Sequence, residues 1–132
     1  MGANTFLDFS YGKNMDEAFR RAVDQAQWEY GHGGYTGTIA EKYDCVDAGQ
    51  LPARMSARRV EQAFSDFSVA GTLPRTPSIR TLVETYGAAY DDKWGPAVGF
   101  EVGGKTAKEY KARHGLTGTR NRVYVFMGWA SS

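Results

Sequence analysis

Val123-Tyr124-Val125-Phe126-Met127-Gly128-Trp129 carries apolar side chains on both of its faces. A strand with one wet face alternates apolar and polar residues. A run without that alternation belongs near the middle of a sheet that is covered on both sides. The rest of the chain must therefore supply strands to flank it and helices to pack on the sheet. Thr5-Phe6-Leu7-Asp8-Phe9-Ser10-Tyr11 sets Leu7, Phe9 and Tyr11 against Phe6, Asp8 and Ser10, as a half-buried strand ending at Gly12 does. Val98, Phe100 and Val102 alternate with Ala97, Gly99 and Glu101 as a third strand, closed by Gly103-Gly104.

The helices announce themselves by period and by caps. Asn14 with Glu17 three residues on resembles a capping box, and Phe19, Val23, Ala26 and Tyr30 follow at helical spacing up to a stop at Gly31. From about Pro52 a second helix is expected, with Ala53, Ala57, Val60, Phe64 and Phe67 on its apolar stripe and Arg54, Arg58 and Arg59 on the other side. Pro74 and Pro77 make 71–77 an irregular connection. Thr76-Pro77 then starts a third helix along Ile79, Leu82, Val83, Tyr86 and Tyr90, in which Gly87 weakens the last turn. Thr106 and Glu109 resemble another capping box and predict a short helix over 107–113 that stops at His114-Gly115. Asp91 to Pro96 reads as a turn and Asp44 to Gln50 as a loop. The segment 35–43 reads as a strand with Tyr35, Ile39 and Tyr43 on one face and Thr36, Thr38 and Lys42 on the other. The expected fold class is α+β: a single-domain sandwich of a mainly antiparallel sheet of about four strands packed against three or four helices.

Composition narrows the function classes. The chain has 132 residues, 42% of them hydrophobic, which suffices for one domain with a real core. Sixteen basic and fifteen acidic residues leave a net charge of +1 and no global field to draw the protein onto a membrane or nucleic acid, so neither is an expected partner. No signal-peptide pattern opens the chain, and a soluble, intracellular protein is expected. Cys45 is the only cysteine, which excludes an internal disulfide or a zinc site of several thiolates. Its thiol stands between Asp44 and Val46, and a neighbouring carboxylate raises a thiol pKa rather than lowering it. No cofactor or metal is expected, because no spacing joins His32, His114 and Cys45 into a ligand set.

Gly31-His32-Gly33-Gly34-Tyr35-Thr36-Gly37-Thr38 is the stretch that packing explains least, with four glycines in seven positions. Phosphate loops run from a strand into a helix N-terminus, whereas this one leaves a helix C-terminus, so the dipole end facing it is negative. A nest of backbone N–H groups remains available to an anion or a partner, with Arg54 or Arg58 as candidate helpers. His32, Gly33, Gly34, Tyr35, Thr36, Gly37, Thr38, Arg54, Arg58 and Trp94 are accordingly the candidate binding residues; Trp94 enters as a recognition anchor on its turn. No catalytic residue is assigned. The alternative of an enzyme would use His32 as acid/base, with Asp44 or Asp91 assisting, on a nucleotide or other phosphoester.

The blocks Tyr30 to Lys42, Asp91-Asp92-Lys93-Trp94-Gly95-Pro96-Ala97 and Phe126-Met127-Gly128-Trp129-Ala130-Ser131 together resemble a set of small uncharacterised proteins encoded by bacteriophages. The resemblance carries no activity and no catalytic residue. It implies synthesis in the cytoplasm of an infected bacterium, and a choice between an accessory factor acting on host molecules and a component of the virion. The expectation is an accessory protein that binds a host protein or a phosphorylated small molecule through Gly31–Thr38. A virion protein burying its aromatic surfaces against copies of itself, and hence a homo-oligomer, is the third reading.

Overall fold

The computed structural model describes residues 2–132. Its centre is the doubly apolar strand near the C-terminus. Strand β4 (Arg122–Ser131) lies between β1 (Ala3–Gly12) and β3 (Ala97–Val102), antiparallel to both. A fourth strand, β2 (Cys45–Gln50), pairs parallel to β3 and completes the order β1-β4-β3-β2. Val123, Val125 and Met127 point to one face of β4, and Tyr124 and Phe126 to the other; all are buried, as a covered central strand requires.

Each face has its own core. Helix α1 (Met15–Tyr30) covers one side, where Phe19 meets Phe126 edge-on at 5.6 Å between ring centroids and Ala18, Ala22 and Ala26 let the helix lie close. Helices α2 (Ala57–Ala70) and α3 (Pro77–Asp91) cover the other, where Phe64 stacks on Tyr90 at 5.3 Å and reaches Phe100. Helix α4 (Gly104–Arg113) joins this second face through Ala107 and Tyr110. The α+β sandwich of about four strands and four helices is thus present, and its sheet is mainly antiparallel as expected, with β2–β3 the one parallel pairing.

Four local expectations are corrected. The segment 35–43 is not a strand: Gly34, Tyr35 and Gly37 all have positive φ, which extended pairing does not admit, and Ile39–Glu41 forms a 3₁₀ turn capped by Thr38. The segment 44–50 is not a loop but β2. Its turn-like residues form a bulge inside the strand, where Asp47 accepts a hydrogen bond from the Gly49 amide and Gly49 takes φ 86°. Helix α2 starts at Ala57 instead of Pro52, because Ser56 caps it by accepting from the Arg59 amide, and Pro52–Met55 is a turn with Arg54 at φ 64°. Helix α4 starts at Gly104, so Thr106 is inside it and does not cap. At α1 the capping box holds, with Asn14 accepting from the Glu17 amide at 2.9 Å, and Glu17 reaching back to the Lys13 amide at 3.0 Å.

Candidate functional site

The glycine stretch leaves α1 where Gly31, at φ 88°, donates its amide to the Gln27 carbonyl. His32, Gly33 and Gly34 then run exposed. From Tyr35 onward the loop is held from within. Glu41 turns its carboxylate back on the loop and accepts three hydrogen bonds, from the Tyr35 amide (3.0 Å), the Thr36 amide (3.1 Å) and the Thr36 hydroxyl (2.7 Å). Successive N–H groups converging on one anion are the arrangement that would cradle a phosphate, and here the anion is the protein's own. Burial works to raise the Glu41 pKa, but the bonds from Thr36 and Tyr35 outweigh it and hold the carboxyl below its ordinary value.

Gly37 anchors the loop to the sheet. Beyond the end of β3 no strand donates to the Ser131 carbonyl, and the Gly37 amide takes that place at 2.8 Å. Its φ of 69° is what favours glycine here, and a Cβ would in addition crowd Ser132 at 3.1 Å and displace the exposed Asn4 side chain, whose nitrogen would lie 2.6 Å away.

Lys42, next to Glu41, does the complementary work. The residue is 3% exposed, and its ammonium donates to the carbonyls of Asp92 (3.1 Å), Gly95 (3.0 Å) and Lys93 (3.4 Å), gathering the turn between α3 and β3 around one charge. Burial lowers its pKa to about 8 against the opposing charge of Asp92. Two consecutive residues therefore lock two separate loops, and the loops carry Tyr35 and Trp94. The rings meet edge-on at 6.2 Å, and the Lys93 ammonium lies 5.3 Å from the centre of the Trp94 ring.

This pair is part of a wider distribution. Among the described residues, five of the seven large hydrophobic side chains that face solvent are Trp28, Tyr30, Tyr35, Tyr43 and Trp94, which puts them at the end of α1, in the loop, and on the turn that Lys42 holds. Tyr43 is 99% exposed and Trp28 86%. Tyr43 shares a shallow depression with Arg20, Asp24 and Gln27 of α1, and Trp28 borders the same Arg20–Asp24 ridge.

Other candidates are not brought together. Arg54 and Arg58 do not share a helix face, because Arg54 precedes α2 in the left-handed turn. Both belong to the side of the sheet covered by α2 and α3, whereas Ile39 and the loop belong to the α1 side, so neither arginine supports the loop. Arg58 instead borders a groove with Arg59 and Arg75 between α2 and α3. Asp44 accepts from the Cys45 amide, and Asp91 from the Ser68 hydroxyl. Neither orients His32, which a general base would need. The Cys45 thiol is raised to about 12, by burial first and then by the charges of Asp16, Asp44 and Asp47, the opposite direction to the one that activates a thiol. Among the described residues no group of three or more His, Cys, Asp or Glu side chains is placed to hold a metal ion, and no helix is long and apolar enough to cross a membrane.

Sequence reasoning misses Glu41 and Lys42 as site residues because their partners lie across a turn and some fifty positions away, and neither spacing has a sequence signature. It misses Tyr30 and Tyr43 because each falls on the apolar face of its expected element, the one in line with Phe19, Val23 and Ala26 and the other with Ile39, and it misses Trp28 because that residue falls outside the apolar stripe of its helix. Comparison with protein-family models, with curated proteins and with solved structures returned no match to this chain.

Proposed function

We propose that this chain is a protein-binding module, and that the Tyr35–Trp94 pair with its flanking loop is the recognition surface. One observation carries the reading. Two large aromatic side chains, 56% and 62% exposed, are mounted edge-on across two loops that Glu41 and Lys42 hold in place from beneath. Exposed aromatics are an unfavourable surface for water and an effective one for a partner. Fixing them in advance removes ordering entropy that a flexible loop would lose on binding. The phosphorylated small molecule is the weaker half of the sequence expectation, since the Tyr35 and Thr36 amides that would hold it already hold Glu41. The likeness to phage-encoded proteins supplies the setting, a host protein in the cytoplasm of an infected bacterium.

The test is retention of a host protein by the wild-type chain and by the Tyr35→Ala/Trp94→Ala double variant, with a photo-crosslinker at position 35 to identify what is touched. The reading expects one host protein crosslinked from position 35 and lost with the double variant, whose circular dichroism is unchanged. Equal retention by both proteins refutes it, and recovery of the chain at high copy from purified particles would favour the virion role.

A further inference from the structure

We propose that the open edge of β1 is a slot for one extended segment of a partner protein, carrying an arginine or lysine beside Asp8. The backbone sets the first condition. Gly2 and Ser132 exchange both of their main-chain hydrogen bonds, at 2.9 and 3.0 Å, so the even-numbered residues of β1 face β4 and the odd-numbered ones face outward. The amides and carbonyls of Ala3, Thr5, Leu7 and Phe9 therefore point to the open side, and among the described residues nothing receives them. The carbonyl of Tyr11, the next in the series, is taken by the Arg21 guanidinium. A partner strand thus has a defined stop at the Tyr11 end of the edge.

The edge also lacks most of the devices that blunt such strands. The pairing with β4 runs unbroken over ten residues, from Ala3 with Ser131 to Gly12 with Arg122. It contains no bulge, no proline and no lysine. Its one charge is Asp8, and that charge selects the occupant. Asp8 is half-buried, forms no hydrogen bond or ion pair within the described structure, and has a raised pKa because of burial first and the neighbouring Glu29 second. Two copies of this chain pairing edge to edge about Leu7 would place both Asp8 carboxylates, each beside a Glu29, on the same sheet face. A basic side chain there would instead meet an unpaired acid.

The surroundings fit an extended chain. A cleft of about 480 Å³ runs along Asp8–Tyr11, with Arg21 and Gln25 of α1 on one wall and Tyr110 of α4 and His114, just past its end, on the other. Because the walls stand on opposite faces of the sheet, they admit a strand entering edge-on. On the α4 side Phe9 stacks with Tyr110 at 6.2 Å, and Tyr110 with His114 at 4.1 Å. The segment should therefore alternate a basic residue on the α1 side with apolar neighbours on the α4 side. Arg21 does not compete for Asp8, since it is engaged by Glu17, the Tyr11 carbonyl and the Tyr11 ring.

The experiment is selection of random octapeptides displayed on yeast against the full chain, followed by binding of the selected peptide, as a synthetic fluorescent probe, to variants. The expected result is enrichment of arginine or lysine at one position with apolar residues on either side. Binding should weaken about ten-fold in Asp8→Asn, through loss of a charge-assisted bond, and several-fold in Thr5→Pro. Thr5→Pro removes one outward amide and none that bonds β4, so its backbone amide spectrum should remain folded. Tyr35→Ala/Trp94→Ala should leave the peptide bound, which separates this slot from the loop surface. No enrichment, selected peptides without the basic position, or indifference to both Asp8→Asn and Thr5→Pro would overturn the proposal. A wild-type dimer in sedimentation that Thr5→Pro dissolves would overturn it also, by making a second copy the occupant.

Discussion

Replacing Glu41 by alanine removes the anion on which the loop is wound. Three hydrogen bonds end on that carboxylate, each of a kind whose loss in a buried setting costs ~1.5–3 kcal/mol. Glu41 is only half-buried, and water can reach the amides it leaves, so the total should fall to about 1–2 kcal/mol. In a domain of this size that lowers the melting temperature by about 4–8 °C. The loss should be local before it is global, because the sheet does not depend on the loop. Hydrogen exchange is the decisive assay. The Tyr35 and Thr36 amides should lose protection by roughly ten-fold in Glu41→Ala at pH 7, while the amides of β4 change only as global stability does. In the wild type the same two amides should be released as the pH falls. The Glu41 pKa is lowered in the folded chain, so its contribution is complete above the ordinary carboxylate value and disappears as pH drops through the folded one. Glu41→Gln should behave more like alanine than like the wild type, since its single carbonyl oxygen cannot serve three donors and its NH₂ group would face an N–H. Unchanged protection of Tyr35 and Thr36 in Glu41→Ala would refute the account. So would a wild-type chain whose Tyr35 and Thr36 amides shift on titration with inorganic phosphate.

Three further outcomes are expected from the packing. Burial holds the Lys42 ammonium at about 8, below its ordinary 10.5, so above pH 8 the unfolded chain keeps a proton that the native one has shed, and stability rises with pH; Cys45, raised to about 12 from 9.0, cancels that slope once unfolded thiols ionise. Urea unfolding should therefore show a gain of up to about 1 kcal/mol between pH 8 and 9, absent in Lys42→Met and extended to higher pH in Cys45→Ala. Gly87→Ala, which in an exposed helix would stabilise, should destabilise by about 1–2 kcal/mol in urea melts, because a Cβ there would lie 2.9 Å from the Phe67 ring of α2. Tyr90→Phe should cost about 1–2 kcal/mol by the same measurement, as it removes the buried hydroxyl that donates to Glu61 across α2 and α3.

Elements whose apolar pattern matched their environment were legible. The run 123–129 marks a covered central strand, and the periodic stripes of α1 and α3 mark helices with one dry face, because burial on a sheet is what those patterns encode. Legibility failed where tertiary contacts set the backbone. β2 has one buried residue, Ala48, and contains the Asp and Gly of its own bulge; it is a strand because β3 offers it an edge, which no local pattern states. The segment 35–43 has the alternation of a strand, but the chain bends there at positive φ angles that Glu41 and the Ser131 carbonyl hold in place. Gly87 illustrates the same division. Its cost to the helix was visible in the sequence, but its purpose, to let the Phe67 ring lie against α3, was not.

The candidate site turns on where the loop's amides go. A glycine-rich stretch suggests contact with bare main chain, yet four of the amides here already have partners: Gly31 gives its own to Gln27, Tyr35 and Thr36 give theirs to Glu41, and Gly37 gives its own to Ser131. Main-chain recognition is left to His32, Gly33 and Gly34, which are exposed and lie just beyond the negative end of the α1 dipole. That end disfavours an anion and suits a donor from a protein side chain. The same internal bonds that close the loop to phosphate are the ones that hold Tyr35 against Trp94, so rigidity of the glycine stretch counts against a phosphoester ligand and in favour of an aromatic contact with a protein partner.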